Sequence, residues 1–218
     1  MAMDQFFQTL EKQYIEGSYS EVITSLLSHS QDIQSGLYHY NLGTLYAKMG
    51  KMGIARFHFE RALGQGNVSA MVMNNLSAVK ESLTQSALQK PEGLSYQTLF
   101  SIGEMPDQIF LTFGLIVAII SIFVCRFRIL KYWKHLLVVG LLGFIPYVTI
   151  SLVKEDVNFA ICLERSNILE GPSEIYKVND ELPEGIKVLL GDTKGDFIFI
   201  KAPEKYTGWV KRIDIGIL

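Results

Sequence analysis

Cysteine is scarce in this chain, with Cys125 and Cys162 the two in 218 residues. They flank the second half of a long apolar stretch, so no disulfide is expected and a fold stapled by bridges is excluded. An excess of charge of one sign is also lacking. Twenty Lys and Arg stand against 22 Asp and Glu, a formal net charge of -2, and no basic tract occurs outside residues 126–134. Nucleic acid is therefore not expected as a partner. The four histidines, His29, His39, His58 and His135, are scattered. They form no His-Glu-x-x-His pair, and no cysteine set has metal-ligand spacing. A Walker loop, a Gly-x-Ser-x-Gly elbow and a dinucleotide fingerprint are all missing. No catalytic residue, metal or cofactor is expected, and a scaffold is favoured over an enzyme. Met1-Ala2-Met3-Asp4-Gln5 leads straight into a globular pattern, without the basic and apolar regions of a signal peptide.

What is present in excess is apolar sequence, 49% of the chain, concentrated in residues 108–153. Two uncharged runs, 109–127 up to Arg126 and 136–153 with Pro146 inside it, have about the length of a bilayer core, roughly 17 to 25 residues. They predict a transmembrane helical hairpin. The alternative, a pair of buried core helices, usually carries a polar stripe that neither run shows. Between them Arg126, Arg128, Lys131 and Lys134, with Tyr132 and Trp133, make a cationic turn expected to set the topology by staying on the cytoplasmic face. Both flanking domains would then face outward. That arrangement requires a leader that is missing here, or a late start; the inverse topology puts both domains in the cytoplasm.

Residues 1–88 read as helical repeats. Leu37 to Leu63 holds Tyr40-Asn41-Leu42-Gly43, Tyr46, Met49-Gly50, Ala55, Phe59 and Ala62-Leu63, the spacings of a tetratricopeptide repeat. Gly43 and Ala55 are small where two helices approach, while Tyr46 and Phe59 fill the groove between them. Tyr14, Gly17, Tyr19 and Val22 form a weaker upstream copy, and Ser69 to about Leu88 reads as a capping helix. The aromatics are chiefly core filling. Stacks of this kind present a concave face, which makes His39, Asn41, Lys48, Asn74 and Asn75 the candidate protein-binding residues.

Pro91, Gly93, Gly103 and Pro106 mark residues 89–107 as a linker. Beyond it, residues 157–218 change to short β-like runs, Phe159 to Leu163, Ile186 to Leu190, Phe197 to Ile200 and Thr207 to Val210, separated by Gly, Pro and Asp. Gly171-Pro172-Ser173, Pro183-Glu184-Gly185 and Gly208-Trp209-Val210 resemble bacterial SH3-like domains, which implies a small all-β barrel. Trp209 would fill its centre or support its rim. Alternatively Tyr206, Trp209 and Phe197 or Phe199 form an exposed platform for a peptide.

The order of parts, from Tyr40-Asn41-Leu42-Gly43 through Glu60-Arg61-Ala62-Leu63 to the hairpin and the barrel, is similar to the BatE group of the bacterial aerotolerance (Bat) family. That resemblance implies a multidomain membrane protein: an all-α tetratricopeptide-repeat domain, a two-helix transmembrane hairpin and an SH3-like barrel. It implies a two-pass protein of the inner membrane, with both soluble domains periplasmic, acting as a scaffold or adaptor of an envelope complex. Membrane-anchored von Willebrand A-type Bat proteins are the implied partners. A cell-wall peptide sensor working through the SH3-like domain, or a non-catalytic subunit of an envelope enzyme complex, is the alternative.

Overall fold

The computed structural model describes residues 2–83, 107–127, 138, 140–156 and 158–218. The chain divides into two compact units, residues 1–91 together with 159–218, and residues 92–158.

The first unit opens with five helices, α1 (Ala2–Ile15), α2 (Tyr19–Ser28), α3 (Ser35–Lys48), α4 (Met52–Gly64) and α5 (Ala70–Ser82). Short turns make consecutive helices pack as hairpins. Gly43 on α3 explains the closest approach, because a Cβ there would stand 2.8 Å from the ring of Phe59. Phe59 is fully buried. Leu10, Val22, Ile23, Leu26, Leu42 and Leu45 close a second cluster over α1 to α3.

Seven strands follow: β1 (Phe159–Cys162), β2 (Ser166–Leu169), β3 (Val178–Leu182), β4 (Lys187–Lys194), β5 (Phe197–Ala202), β6 (Gly208–Lys211) and β7 (Ile215–Ile217). All their pairings are antiparallel, in the order β3-β2-β6-β5-β4-β1-β7. Side chains alternate across β5, with Ile198 and Ile200 turned to the core and Phe197 and Phe199 half-buried on the other face.

Two expectations are corrected here. The sheet is open, with β3 and β7 as its edges, and not a closed SH3-like barrel. Nor are the helices a separate all-α domain. One hydrophobic cluster runs from Ala55, Phe59, Ala62, Val72 and Val79 on the helices into Ala160, Ile168, Val188, Ile200 and Val210 on the strands. The architecture is a helical layer and an antiparallel sheet sharing one core. Helix α4 makes the junction: a Cβ at Gly53 would collide with the Leu163 carbonyl oxygen, and one at Gly216 would stand 2.6 Å from the Phe57 ring.

The second unit contains α6 (Asp107–Phe127) and α7 (Ile145–Asp156). Ser121 of α6 lies against Gly140, and Val117 against Gly143. Large apolar side chains of α6, among them Ile109, Phe113, Ile119, Ile122 and Phe123, are exposed. Among the described residues no helix is long and apolar enough to cross a membrane. The uncharged stretch of α6, residues 109–125, rises about 26 Å at 1.5 Å per residue, short of the roughly 30 Å of a hydrocarbon core. Helix α7, 12 residues ending in Lys154-Glu155-Asp156, rises about 18 Å. The expected transmembrane hairpin, and with it the two-pass inner-membrane location, is therefore not supported. Of the topology-setting cations, Arg126 is exposed near the end of α6, while Arg128, Lys131 and Lys134 lie outside the described residues. The expected linker, 89–107, lies almost wholly outside them as well.

Candidate binding groove

Helices α3, α4 and α5 leave a concave cavity of about 260 Å³ between them. Ala47, Met52, Phe59, Ala78 and Val79 give it an apolar floor, and Thr44, Lys48, Asn75 and Ser82 supply polar groups. Lys48 is exposed and Asn75 half-buried, so a cation and an amide stand beside apolar surface. That combination suits a peptide segment carrying a carboxylate next to an apolar side chain.

Of the five residues expected on the concave face, the structure brings Lys48 and Asn75 together. Asn41 is half-buried and Asn74 exposed, and neither lines the cavity. His39 belongs to a different cluster. Its Nδ1 lies 3.0 Å from Nδ1 of His58 on α4, and the His58 ring stacks parallel on Tyr46 at 5.4 Å. Tyr38 packs edge-on against His39. Burial, reinforced by the charges of His39 and Arg61, pushes His58 down to about 3. Burial and then Arg61 also lower His39.

On the opposite side of α4 a second polar cluster ties the helix to the sheet. Glu60 accepts from Arg56 Nε at 2.9 Å and from Lys187 Nζ at 2.8 Å, all three side chains being buried. Arg56 Nη1 donates to the Gly185 carbonyl at 2.7 Å. Burial alone would raise Glu60, but Lys187, Arg56 and Lys80 outweigh it and hold the carboxyl down to about 2. Sequence reasoning missed this network, because Glu60 and Lys187 are 127 positions apart. The one local signal is the Arg56/Glu60 pair at i,i+4 on a helix side also carrying Gly53 and Phe59.

On the sheet, Tyr206 is 3% exposed and belongs to the shared core. It therefore cannot contribute to an exposed aromatic platform. Phe197, Phe199 and Trp209 do share the outer face: Phe199 pairs with Trp209 across the strands, their rings 5.4 Å apart at 59°. Lys194 Nζ lies 5.6 Å from the Trp209 ring centre. Cys162 is buried, its Sγ donating to the Glu164 carbonyl at 2.9 Å. Burial first, then Asp214 and Glu184, push its thiol upward, the opposite of what a reactive cysteine needs. Among the described residues no group of three or more His, Cys, Asp or Glu side chains is placed to hold a metal.

Compared with protein-family models, curated proteins and solved structures, the chain matches none. Nothing in these comparisons carries the tetratricopeptide, SH3-like or BatE labels, and the spacing of residues 37–63 is here a description of two packed helices only.

Proposed function

We propose that the chain is a non-enzymatic protein-binding module whose α3–α5 groove takes a short partner segment bearing a carboxylate beside an apolar side chain. The observation that carries this reading is the cavity of about 260 Å³ with Lys48 and Asn75 over an apolar floor. The carboxylate pairs with Lys48, an exposed cation outside every ion pair described, and Asn75 donates to the same group or to the peptide backbone. The apolar side chain enters between Met52, Ala78 and Val79. A groove of this size supports weak binding of a single anchor, which a second contact in the same partner strengthens through effective concentration.

The test is selection of peptides from a randomised display library on the full chain, followed by anisotropy titration against two variants. Ala78→Trp fills the cavity and Lys48→Glu reverses its charge; both positions are exposed. Selected peptides should carry Asp, Glu or a free carboxyl terminus next to an apolar residue. Each variant should weaken them about tenfold or more, the worth of a charged hydrogen bond, with melting unchanged. Peptides that bind wild type and both variants equally place the site elsewhere.

A further inference from the structure

By helix periodicity His58 faces away from Glu60 on α4, with Arg61 nearly one turn further along, and His58 there meets His39 and Tyr46 from α3. Three basic groups converge there, and among the described residues no carboxylate pairs with them. The causes of the lowered His39 and His58 values include Arg61 and no acid. Arg61 Nε is buried with no hydrogen-bond acceptor among the described residues, while the side chain as a whole is half-buried. A basic cluster lacking its counter-ion and keeping an orphaned guanidinium N–H is incomplete in a way that an anion completes.

We propose that His39, His58 and Arg61 form an oxyanion-binding site for a phosphate group. The site is separate from the α3–α5 groove and does not depend on that groove's occupant. A guanidinium offers two parallel N–H donors along its Nε edge, which match two oxygens of a phosphate. A small rotation of the half-buried Arg61 side chain turns that edge toward the ligand. The imidazoles donate as N–H groups, and the Tyr38 and Tyr46 rings wall the site. A metal ion is disfavoured in the same place, because Arg61 repels it and two histidines are too few ligands.

The site is linked to pH. Among the described residues, the titratable and charged groups facing the imidazole pair are Tyr38 and Tyr46 from α3 and Arg61 from α4. Protonating His39 in the free protein adds charge to charge. A bound dianion favours the protonated imidazole, so the His39 and His58 titrations move upward in pH when phosphate is bound, while the second proton of the ligand, leaving at about pH 6 to 7, sets how the affinity itself varies.

The experiment uses the full chain, with imidazole nitrogen and carbon-bound proton signals followed by NMR. Inorganic phosphate, phosphoserine and acetate are titrated at about pH 6 and about pH 7.5, on either side of the histidine range. Saturable shifts of His39 and His58 with phosphate, and imidazole titrations moved upward in pH in the bound protein, are expected. Arg61→Gln should weaken binding about tenfold, the worth of a charge-assisted hydrogen bond, while Arg61→Lys, which keeps the charge but not the fork, should fall between. Phosphoserine binding more tightly than inorganic phosphate identifies a phosphorylated ligand; the reverse order identifies free phosphate. An adventitious response without saturation, acetate binding as tightly as phosphate, or imidazole titrations that phosphate leaves unmoved overturns the site. An affinity unchanged in Arg61→Gln does so too, and should that variant fail to fold, Arg61→Lys and the wild-type imidazole titrations decide.

Discussion

On one side of α4, Glu60 is held between Arg56 and Lys187 at 2.9 and 2.8 Å, deep between the helices and the sheet. On the other side, His58 and Arg61 sit beside His39 with no acid among the described residues there. The first cluster is closed, since both cations share the Glu60 carboxylate and Arg56 spends a further N–H on the Gly185 carbonyl. The second keeps its imidazoles neutral because burial and a neighbouring cation leave no favourable place for a proton. Charge buried at a junction between layers must be matched by a partner from the other layer. Charge at the outer side of the helix is left for whatever arrives from outside.

The largest effect should come from opening the closed side. Glu60→Ala leaves Arg56 and Lys187 buried without their anion, and breaking one partner of a buried pair typically costs about 3 to 5 kcal/mol. Replacing all three together, Glu60→Leu with Arg56→Met and Lys187→Met, should recover most of that loss, since apolar groups of similar volume often serve as well. Chemical denaturation of the three proteins measures both. A triple variant no more stable than Glu60→Ala alone would show that the network does more than satisfy itself.

Phe59→Ala is the apolar counterpart and should cost about the same, roughly 3 to 5 kcal/mol, by leaving a cavity. Its use lies in cooperativity. Phe59 belongs to the cluster that runs from Ala55 on α4 to Val210 on β6, so helices and sheet should lose structure together. Far-ultraviolet dichroism and Trp209 fluorescence, in a Trp133→Phe background, are expected to report one transition moved by the same amount. Two transitions, with only the helical one moved, would restore separate domains.

That merger was the part of the fold least legible in the sequence. The helices at 35–48 and 52–64 lie where Leu42-Gly43, Tyr46, Ala55 and Phe59 predict packed helices, because their spacing is local and follows the 3.6-residue turn. The strands at 159–162, 187–194, 197–202 and 208–211 lie on the apolar runs. In contrast, β3 reads Val178-Asn179-Asp180-Glu181-Leu182 with four exposed positions before a buried one. An exposed edge strand of this kind has no alternation to detect. The Glu60–Lys187 contact is carried by tertiary packing alone. His39 and Lys48 share a helix, and only the structure shows that one turns toward His58 while the other lines the groove. The apolar runs were read as spans on hydropathy over their full length. The described apolar stretch of α6 and the 12-residue α7 are each shorter than that reading needs.

Acid separates the two sides of α4 without any mutation. Glu60 is depressed from 4.5 to about 2 when folded, so its contribution is complete above pH 4.5 and is lost as pH falls toward 2. His58 is depressed from 6.5 to about 3. The unfolded chain therefore takes up its proton first, and stability falls from pH 6.5 downward. Between 6.5 and 4.5 the histidine acts without Glu60, with a slope approaching 1.4 kcal/mol per pH unit, roughly one proton's worth. His58→Gln should reduce the slope in that interval to the share of His39, which burial and Arg61 also lower, and leave the steeper loss below 4.5 in place. Urea midpoints across the pH range read this directly. A slope unchanged by His58→Gln would mean the proton is taken up elsewhere.

The smallest effect has the opposite sign. Arg61→Gln removes a cation from a cluster that has no anion, together with an Nε–H that is buried without an acceptor. Relief of an unsatisfied donor is worth about 1 to 3 kcal/mol, but the lost packing of the Arg stem offsets much of it. The net change should lie within about 1 kcal/mol of wild type, on the stabilising side. His58 should then become easier to protonate, since one of the charges that lowers it is gone, and its chemical shift titration should move upward in pH. The contrast with Glu60→Ala is the point of the measurement, for two charged residues one position apart on the same helix. If Arg61→Gln instead cost as much as Glu60→Ala, Arg61 would belong to a closed network of its own, and the outer side of α4 would not be the open one.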